Sequence, residues 1–462
     1  MHAKNASHKK IMKRKTLVIT TAIAAMTAQA QNGINSPYSR YGLGIQSERS
    51  MGFNKGMGGV AQGFRDGKEV NAANPASYSA VDSLSAIFDL GLSLQNGNYK
   101  MDKLQQNVRN TSLDYVAFQF RAAKHVGVTL GLMPLTNIKY SFASASESLS
   151  GTDDITSSYS FSGDGGTREV FLGAGWQPCK QLSLGMNAGY IWGDYTHNMT
   201  MSFSESSIFS MARVYSADIR TYDLQAGLQF IQPVGKSDKV VVGATYSFGH
   251  DINNRAYRTT QTINSSSIET QSVDTIHNAF QLPHSIAAGL AYYHKDRWRV
   301  GADFELQKWS DCRFPNQQTS LSSDGTQQES YTSTKGQLND RMKISAGVDW
   351  TPNPNNLTSY FSRCTYKAGA FYSKSYAKAD MTGHVTDKPH EIGVSAGISM
   401  PVANRWIWHN VPVINMSVQW VQTNIPYLNS TTMKQAALKE NYLRFCIGLT
   451  FNEHWFYKSK LK

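Results

Sequence analysis

Apolar and polar residues alternate along long stretches of this chain, and this two-residue period constrains the fold more than any other feature. The alternation is strict over 182–193, 298–307 and 443–451. Successive side chains of a β-strand point to opposite faces, so each stretch predicts a strand with one apolar face and one polar or small face. A chain built mainly from such stretches is expected to be all-β.

Two details favour a membrane barrel over a soluble β-sandwich, which also shows alternation. Aromatic residues stand near the ends of the apolar sets, where the interfacial girdles of transmembrane barrels lie. The predicted strands are also about nine to fifteen residues long, against about five or six in soluble proteins. Together these details predict a transmembrane antiparallel β-barrel. The girdle candidates are Trp192, Trp298, Trp350, Trp420 and Phe451.

The pattern predicts about fourteen strands, joined alternately by short turns and long loops. Short turns such as 122–124 and 294–296 alternate with long polar connections such as 142–166 and 312–338. This layout is typical of bacterial outer-membrane barrels, and an even number of strands places both chain ends in the periplasm. The predicted strands are 84–96, 111–122, 125–141, 167–178, 180–198, 216–232, 239–250, 280–294, 297–311, 339–351, 361–376, 389–400, 412–424 and 439–451.

Composition excludes several other classes of protein. The chain has 462 residues, of which 11% are aromatic and only 17% charged, and this mixture argues against disorder. No apolar run reaches the ~18 residues of a membrane-spanning helix. The formal net charge is +12, but six basic residues lie within the first fifteen positions, so about +6 remains for the rest. Because no basic patch stands out, we expect no nucleic-acid partner.

The N-terminus has the features of a secretory signal peptide. The basic stretch Lys9–Lys15 precedes a short apolar run, Thr16–Met26, and Ala28-Gln29-Ala30 has the small-x-small pattern of a cleavage site. We therefore predict that residues 1–30 are a signal peptide cleaved after Ala30. Export followed by insertion as a barrel predicts a location in the bacterial outer membrane.

Residues 31–83 do not show the strand pattern. They contain clustered glycines and an Asn-Pro pair, which favour tight turns. From composition alone, this segment is either a periplasmic tail or a plug folded into the barrel. The predicted barrel then covers 84–451, and residues 452–462 form a predicted periplasmic tail.

The run from Arg49 to Ala76 resembles the N-terminal hatch of the FadL-type family of outer-membrane transporters of hydrophobic compounds. In that family a Gly-Gly segment precedes an Asn-Pro-Ala motif shortly before the first strand. A weaker match covers 282–310, and the chain ends 36–44 and 451–456 are similar to the Bacteroidetes branch of the family. The matching motif residues are Gly58, Gly59, Asn74, Pro75 and Ala76.

The resemblance implies a fourteen-stranded barrel plugged by its N-terminal segment. It also implies passive uptake of hydrophobic small molecules, such as long-chain fatty acids, with a lateral exit through the barrel wall and no cofactor. The expected partners are this substrate and outer-membrane lipids, and the expected state is a monomer. An alternative function is an outer-membrane anchor or shuttle of a type IX-like secretion system, which would bind other outer-membrane or secretion proteins.

Five charged residues are predicted to face the lumen, where they could pair with the plug or contact a substrate headgroup. They lie on the non-apolar face of two predicted strands: Arg299, Asp303, Glu305, Lys343 and Asp349. Nothing in the chain predicts an enzyme. The pairs Asp153-Asp154 and His250-Asp251 are interpreted as loop and rim polarity, and His384 and His390 are too far apart to predict a metal site.

Overall fold

The computed structural model of the chain describes most residues between Asn35 and His454. The predicted signal peptide, residues 31–34 and residues 455–462 of the predicted tail lie outside the described part, as does His384. The described residues are 35–101, 104–143, 147–149, 152–205, 207–264, 267–321, 327–356, 358–378, 389–402, 411–428 and 435–454.

Nearly all regular structure in the described residues is β-strand, and none of their helices is long and apolar enough to cross a membrane. Short 3-10 helices lie at Pro37–Arg40, Lys55–Met57, Pro75–Ala80, Trp309–Asp311 and Phe361–Arg363. The strands are β1 (Ile45–Gln46), β2 (Ser85–Met101), β3 (Leu104–Ala123), β4 (Val126–Pro134), β5 (Thr136–Ala143), β6 (Glu147–Leu149), β7 (Thr152–Trp176), β8 (Leu182–Phe203), β9 (Ser210–Val234), β10 (Asp238–Ser247), β11 (His250–Ile252), β12 (Arg255–Ile263), β13 (Ile268–His277), β14 (Phe280–Leu282), β15 (Ser285–His294), β16 (Trp298–Gln307), β17 (Phe314–Leu321), β18 (Gln327–Thr334), β19 (Arg341–Trp350), β20 (Thr365–Lys374), β21 (His390–Pro401), β22 (Val413–Leu428) and β23 (Gln435–His454).

Within the described residues, these strands form a closed antiparallel barrel of 14 spans. Three spans are interrupted and consist of β4 with β5, β10 with β12, and β13 with β15. The first span, β2, pairs with β3 on one side and with the last strand, β23, on the other. Closure gives the first and last strands a hydrogen-bonding partner. An open sheet would leave backbone N–H and C=O groups of these edge strands unpaired in lipid, where no water can bond them. The predicted all-β fold and strand number are confirmed.

Several strands extend further than the alternation predicts. β7 begins at Thr152, inside the predicted loop 142–166, and contains the Gly-rich stretch 162–166. Its left-handed glycines Gly165 (φ +131°) and Gly166 (φ +122°) permit a backbone bend that side-chain-bearing residues rarely adopt. Beyond the membrane both strand faces are polar, so the two-residue signal disappears there although pairing continues. β23 likewise continues to His454, past the predicted end at Phe451.

The outer face of the barrel carries an apolar belt. Along β7, Leu172 is 57% exposed while its neighbour Phe171 is 3% exposed, and along β9 Leu228 is 40% exposed while Gln229 is fully buried. This alternation is that of a wall with lipid outside and a packed interior. Exposed aromatic residues of the belt include Trp176, Tyr190, Tyr222, Phe230, Trp298, Trp350, Tyr366, Trp420 and Phe451.

The N-terminal segment, residues 35–82, packs against the inner side of this wall. Met51, Met57 and Phe64 are almost fully buried in one core cluster with inward residues of the strands. The segment has few strand hydrogen bonds of its own, and asparagine side chains replace them. Asn74 Oδ1 accepts from Ala76 N at 3.1 Å, which caps the helix Pro75–Ala80, and its Nδ2 donates to the carbonyl oxygen of Gln62 at 2.9 Å.

Wall glycines make room for the segment's backbone. A Cβ atom added to Gly369 of β20 would overlap the backbone of Met57 and Gly58, and one added to Gly185 of β8 would overlap Pro75. The close approach of two backbones therefore depends on the missing side chains.

We predict that Gly369→Ala destabilises the protein by about 1–3 kcal/mol, because the added methyl group overpacks a filled interior. Urea unfolding of the folded protein in lipid vesicles measures the change. Gly97→Ala in β2 is the matched control, since its Cβ atom would meet only ordinary van der Waals contacts, the nearest being Tyr99 Oη at 3.6 Å. Equal stability of the two variants would contradict the packing described here.

Candidate functional site

A cavity of about 210 Å³ lies between the N-terminal segment and the inner wall. One part of its lining is apolar and comes from both the segment and several strands. This part is suited to an apolar ligand, because the nonpolar walls offer no hydrogen bonds that the ligand would leave unmade. The apolar lining includes Leu43, Leu135, Ile191, Ile219, Ile252 and Trp309.

The remaining lining is polar and includes charged residues, whose basic groups are paired with acidic ones. Lys343 Nζ lies 2.6 Å from Glu48 Oε1, and Arg341 Nη1 lies 3.0 Å from Glu305 Oε1. Burial by itself would raise the pKa of the Glu48 carboxyl, but the adjacent Lys343 ammonium, together with the charges of Arg444 and Lys55, lowers that pKa to about 2. Glu48 is therefore ionised, and the Lys343 ammonium is neutralised by it.

Arg49 forms the most extended of these pairings. Its guanidinium Nη2 lies 2.9 Å from Glu169 Oε2 in β7 and 2.5 Å from Asp223 Oδ2 in β9. Its Nη1 donates to Gln225 Oε1 at 3.2 Å. One side chain of the N-terminal segment thus joins two strands of the wall through charge-assisted hydrogen bonds.

The charged residues predicted from sequence all contact partners on the inner side. Arg299 Nη2 lies 2.6 Å from Asp349 Oδ2, and its Nη1 lies 2.9 Å from Glu69 Oε2 and 3.2 Å from Asp66 Oδ2. Asp303 Oδ2 accepts from the backbone N–H groups of Ala61 at 2.6 Å and Gln62 at 2.9 Å. Of the five, Asp303, Glu305 and Lys343 line the cavity.

The motif residues shape the N-terminal segment near the cavity. Gly58 (φ +68°) and Gly59 (φ +81°) form a left-handed turn, and Gly58 N donates to Ser395 Oγ at 2.8 Å. Pro75 and Ala76 lie against Gly185 of the wall. Among the motif residues only Gly59 lines the cavity, so the motif shapes the segment and leaves ligand contacts to other residues.

Sequence reasoning missed the cavity residues Glu48, Arg49 and Arg341 and the wall carboxylates Glu169 and Asp223. The two wall residues could have been found, because each is a lone charge at an inward position of a predicted strand. The segment residues carry no such signal, since 31–83 lacks a period from which a face can be read.

The wall is interrupted beside β5. β3 pairs with β4 from Val116 to Ala123, whereas β5 pairs with β7 on one side and with β1 of the N-terminal segment on the other. A second cavity of about 60 Å³ lies at this break and is lined by Asn110, Asp114 and Asn137, among others. β3 and β5 are therefore not joined as neighbouring strands at this level.

The described residues hold no cluster of three or more His, Cys, Asp or Glu side chains suited to a metal ion. His250 of the His250-Asp251 pair contacts Thr221 and Tyr222. The side chain of Asp153 lies outside the described residues.

Comparisons with known proteins identify a matching family and several structures with a similar fold. A family model described as BamG matches residues 12–462, and no curated protein matches the chain. The CymD monoaromatic hydrocarbon channel aligns at 14% identity and TM-score 0.58, covering 89% of this chain and 100% of its own. The Ralstonia pickettii toluene transporter TbuX aligns at 14% identity and TM-score 0.55, covering 88% of this chain and 99% of its own. A Pseudomonas aeruginosa FadL homologue aligns at 12% identity and TM-score 0.56, covering 92% of this chain and 100% of its own. At these identities the likeness shows a shared fold.

We predict that Arg299→Gln lowers the free energy of unfolding by about 3–5 kcal/mol, because it leaves the buried Asp349 and its neighbouring carboxylates without their cation. Denaturant unfolding in lipid vesicles measures the loss. Lys308→Gln is the matched control, since it breaks the exposed pair between Lys308 and Asp340 and should change stability little. A loss of similar size in both variants would contradict a buried ionic contact between wall and segment.

Proposed function

The chain belongs to the BamG family, and on that premise we propose that it is an outer-membrane barrel through which uncharged apolar small molecules pass without an energy source. The observation that carries the proposal is the cavity of about 210 Å³, with apolar walls and paired charges, between the N-terminal segment and the barrel. The chain shares its fold with a hydrocarbon channel and a toluene transporter, which supports the same class of cargo.

The size of the cavity favours a small cargo. A cavity of ~150 Å³ holds benzene, whereas sites for drug-sized ligands measure roughly 300–1,000 Å³. At about 210 Å³ the cavity matches a single aromatic ring or a short chain. A long-chain fatty acid, the cargo that the family resemblance suggests, needs a larger space.

The charge of the cavity favours an uncharged cargo. Its cations Arg49, Arg341 and Lys343 each lie within 3.0 Å of a carboxylate of the protein. A bound carboxylate would have to displace one of these partners and leave a buried charge unpaired, which is costly. A neutral molecule binds without disturbing them.

The route of passage follows from the N-terminal segment. We propose that residues 31–83 act as a plug, supported by the ion pairs of Arg49 and Glu48 with the wall, and that 84–451 form the conducting wall. With the lumen occupied, the break between β3 and β5 offers a lateral exit. Export by a cleaved signal peptide, membership of the Bacteroidetes branch, the periplasmic tail and a monomeric state remain predictions from the sequence.

One observation favours the second candidate, an anchor that binds other outer-membrane or secretion proteins. The N-terminal segment is fixed to the wall by ion pairs through Glu48, Arg49, Lys55, Asp66 and Glu69. A barrel whose interior stays filled conducts no solute, so it would bind its partner proteins through its exposed surface. Stable co-purification with such proteins from detergent extracts, with no binding of apolar probes, would support this candidate.

We predict that the purified protein in lipid nanodiscs binds toluene and that Ile219→Trp weakens binding about tenfold, because a larger ring fills the cavity. Calorimetric titration measures the affinity, with octanoate as the charged comparison and weaker binding expected for it. Leu228→Trp is the matched control: it lies on the same strand, but its side chain is 40% exposed on the outer face.

Two outcomes would count against this proposal. Equal toluene binding by Ile219→Trp and Leu228→Trp would mean that the cavity is not the binding site. Absence of toluene uptake into proteoliposomes containing the unaltered protein would contradict passive passage.

A further inference from the structure

The wall has a second break, between β9 and the span made of β10 and β12. β9 pairs with β10 as far as Gln225 opposite Ser247, and it pairs with β12 from Ala217 opposite Ala256. Between these points the paired ladder is absent on this side of β9 over residues 218–224, which still pair with β8 on the other side. An intact antiparallel ladder would bond these residues along their whole length.

One extra residue and a separate ladder cause this break. Inward side chains are odd-numbered in β10, as at Thr245, and even-numbered beyond it, as at Ile252, which is the effect of a bulge. β11 pairs with β14 in a two-stranded ladder of its own. Ile252 and Phe280 of that ladder are buried in one cluster with Leu43 of the N-terminal segment and Ile219 of β9, so side-chain packing occupies the inner side of the break.

His250 bridges the break. Its ring stacks on Tyr222 of β9, with centroids 4.0 Å apart and planes at 6°, and its Nε2 lies 2.6 Å from Thr221 Oγ1. Two further contacts mark the ends of the break: Phe248 N donates to the carbonyl oxygen of Leu224 at 2.9 Å, and Asn254 Nδ2 to that of Asp218 at 3.3 Å. Side chains thus replace backbone pairing along this seam.

The cavity lies directly inside this seam. Ile219 and Asp223 of β9 line it from one edge of the break, and Ser247 and Ile252 line it from the other edge. The outer side of the break lies at the outer end of the apolar belt, where Tyr222 is 52% exposed and the next outward residue, Arg220, is also exposed. An aromatic residue followed by a charged one marks the membrane–water interface.

We propose that this break is a side portal through which an uncharged small molecule, partitioned at the outer membrane interface, reaches the cavity, with the His250 ring as its cover. The inference rests on the proposed function for its cargo, but the opening itself is defined by geometry alone. Swinging the His250 ring away breaks its hydrogen bond to Thr221, its longer 3.5 Å contact with the Phe248 carbonyl oxygen and one ring stack. It leaves the neighbouring ladders of β10 and β12 intact. The break beside β5 remains a separate route on another part of the wall.

The test measures how fast a small neutral reagent reaches the cavity. Ile219→Cys places a thiol in the lining, in a Cys179→Ser background because Cys179 is exposed whereas Cys312, Cys364 and Cys446 are buried. The full-length protein in lipid nanodiscs is treated with N-ethylmaleimide, and mass spectrometry follows modification at position 219. Adding His250→Ala should speed the reaction about fivefold, the factor that loss of one hydrogen bond of ~1 kcal/mol gives.

His294→Ala is the matched control, because it removes a stacked Tyr–His pair, with Tyr292, where β10 and β15 remain paired. Its rate should stay that of the parent. Tyr222→Leu is a second opening variant that keeps the outer face apolar, and it should act like His250→Ala. An unchanged rate in both opening variants, or an equal increase in His294→Ala, would overturn the portal.

Toluene uptake by the unaltered protein separates this inference from the proposed function. Uptake without any effect of His250→Ala on labelling would refute the portal and leave the function standing. Faster labelling in His250→Ala without toluene uptake would support the portal and refute the function proposed for its cargo.

Discussion

Backbone hydrogen bonding in lipid is the constraint on which the rest of this structure depends. A strand that faces hydrocarbon must pair on both sides, so β2 pairs with β23 and the sheet closes. Closure separates an apolar belt outside from a lumen inside. A barrel of this size encloses more space than its own inward side chains fill, and the N-terminal segment packs against its inner side.

The contacts between segment and wall follow from that arrangement. Inward charges cannot remain unpaired in a filled interior, and the segment supplies their partners: Glu48 for Lys343, Arg49 for Glu169 and Asp223, and Asp66 with Glu69 for Arg299. Wall glycines let the two backbones approach closely, as Gly369 does at Met57. The cavity is the space that this packing leaves, and its cations are already neutralised.

The breaks in the wall show where the constraint relaxes. On one side β5 pairs with β1 of the N-terminal segment instead of with a wall strand. β11 pairs with β14 in a separate ladder instead of with β9. The second break lies at the outer end of the apolar belt, where polar headgroups and water can satisfy backbone groups. Both breaks border cavities that are lined partly by the N-terminal segment.

The sequence by itself determined the strand period and the count of fourteen, because alternation is a local property that survives without knowledge of neighbours. It placed β7 too short and treated 162–166 as a loop, because strands outside lipid have polar residues on both faces. Only the tertiary structure decided that Glu48 meets Lys343, that Arg49 joins β7 to β9, and that His250 bridges a break opposite Tyr222. Those contacts join residues far apart in the chain, and nothing in a local pattern specifies which distant partner closure will bring near.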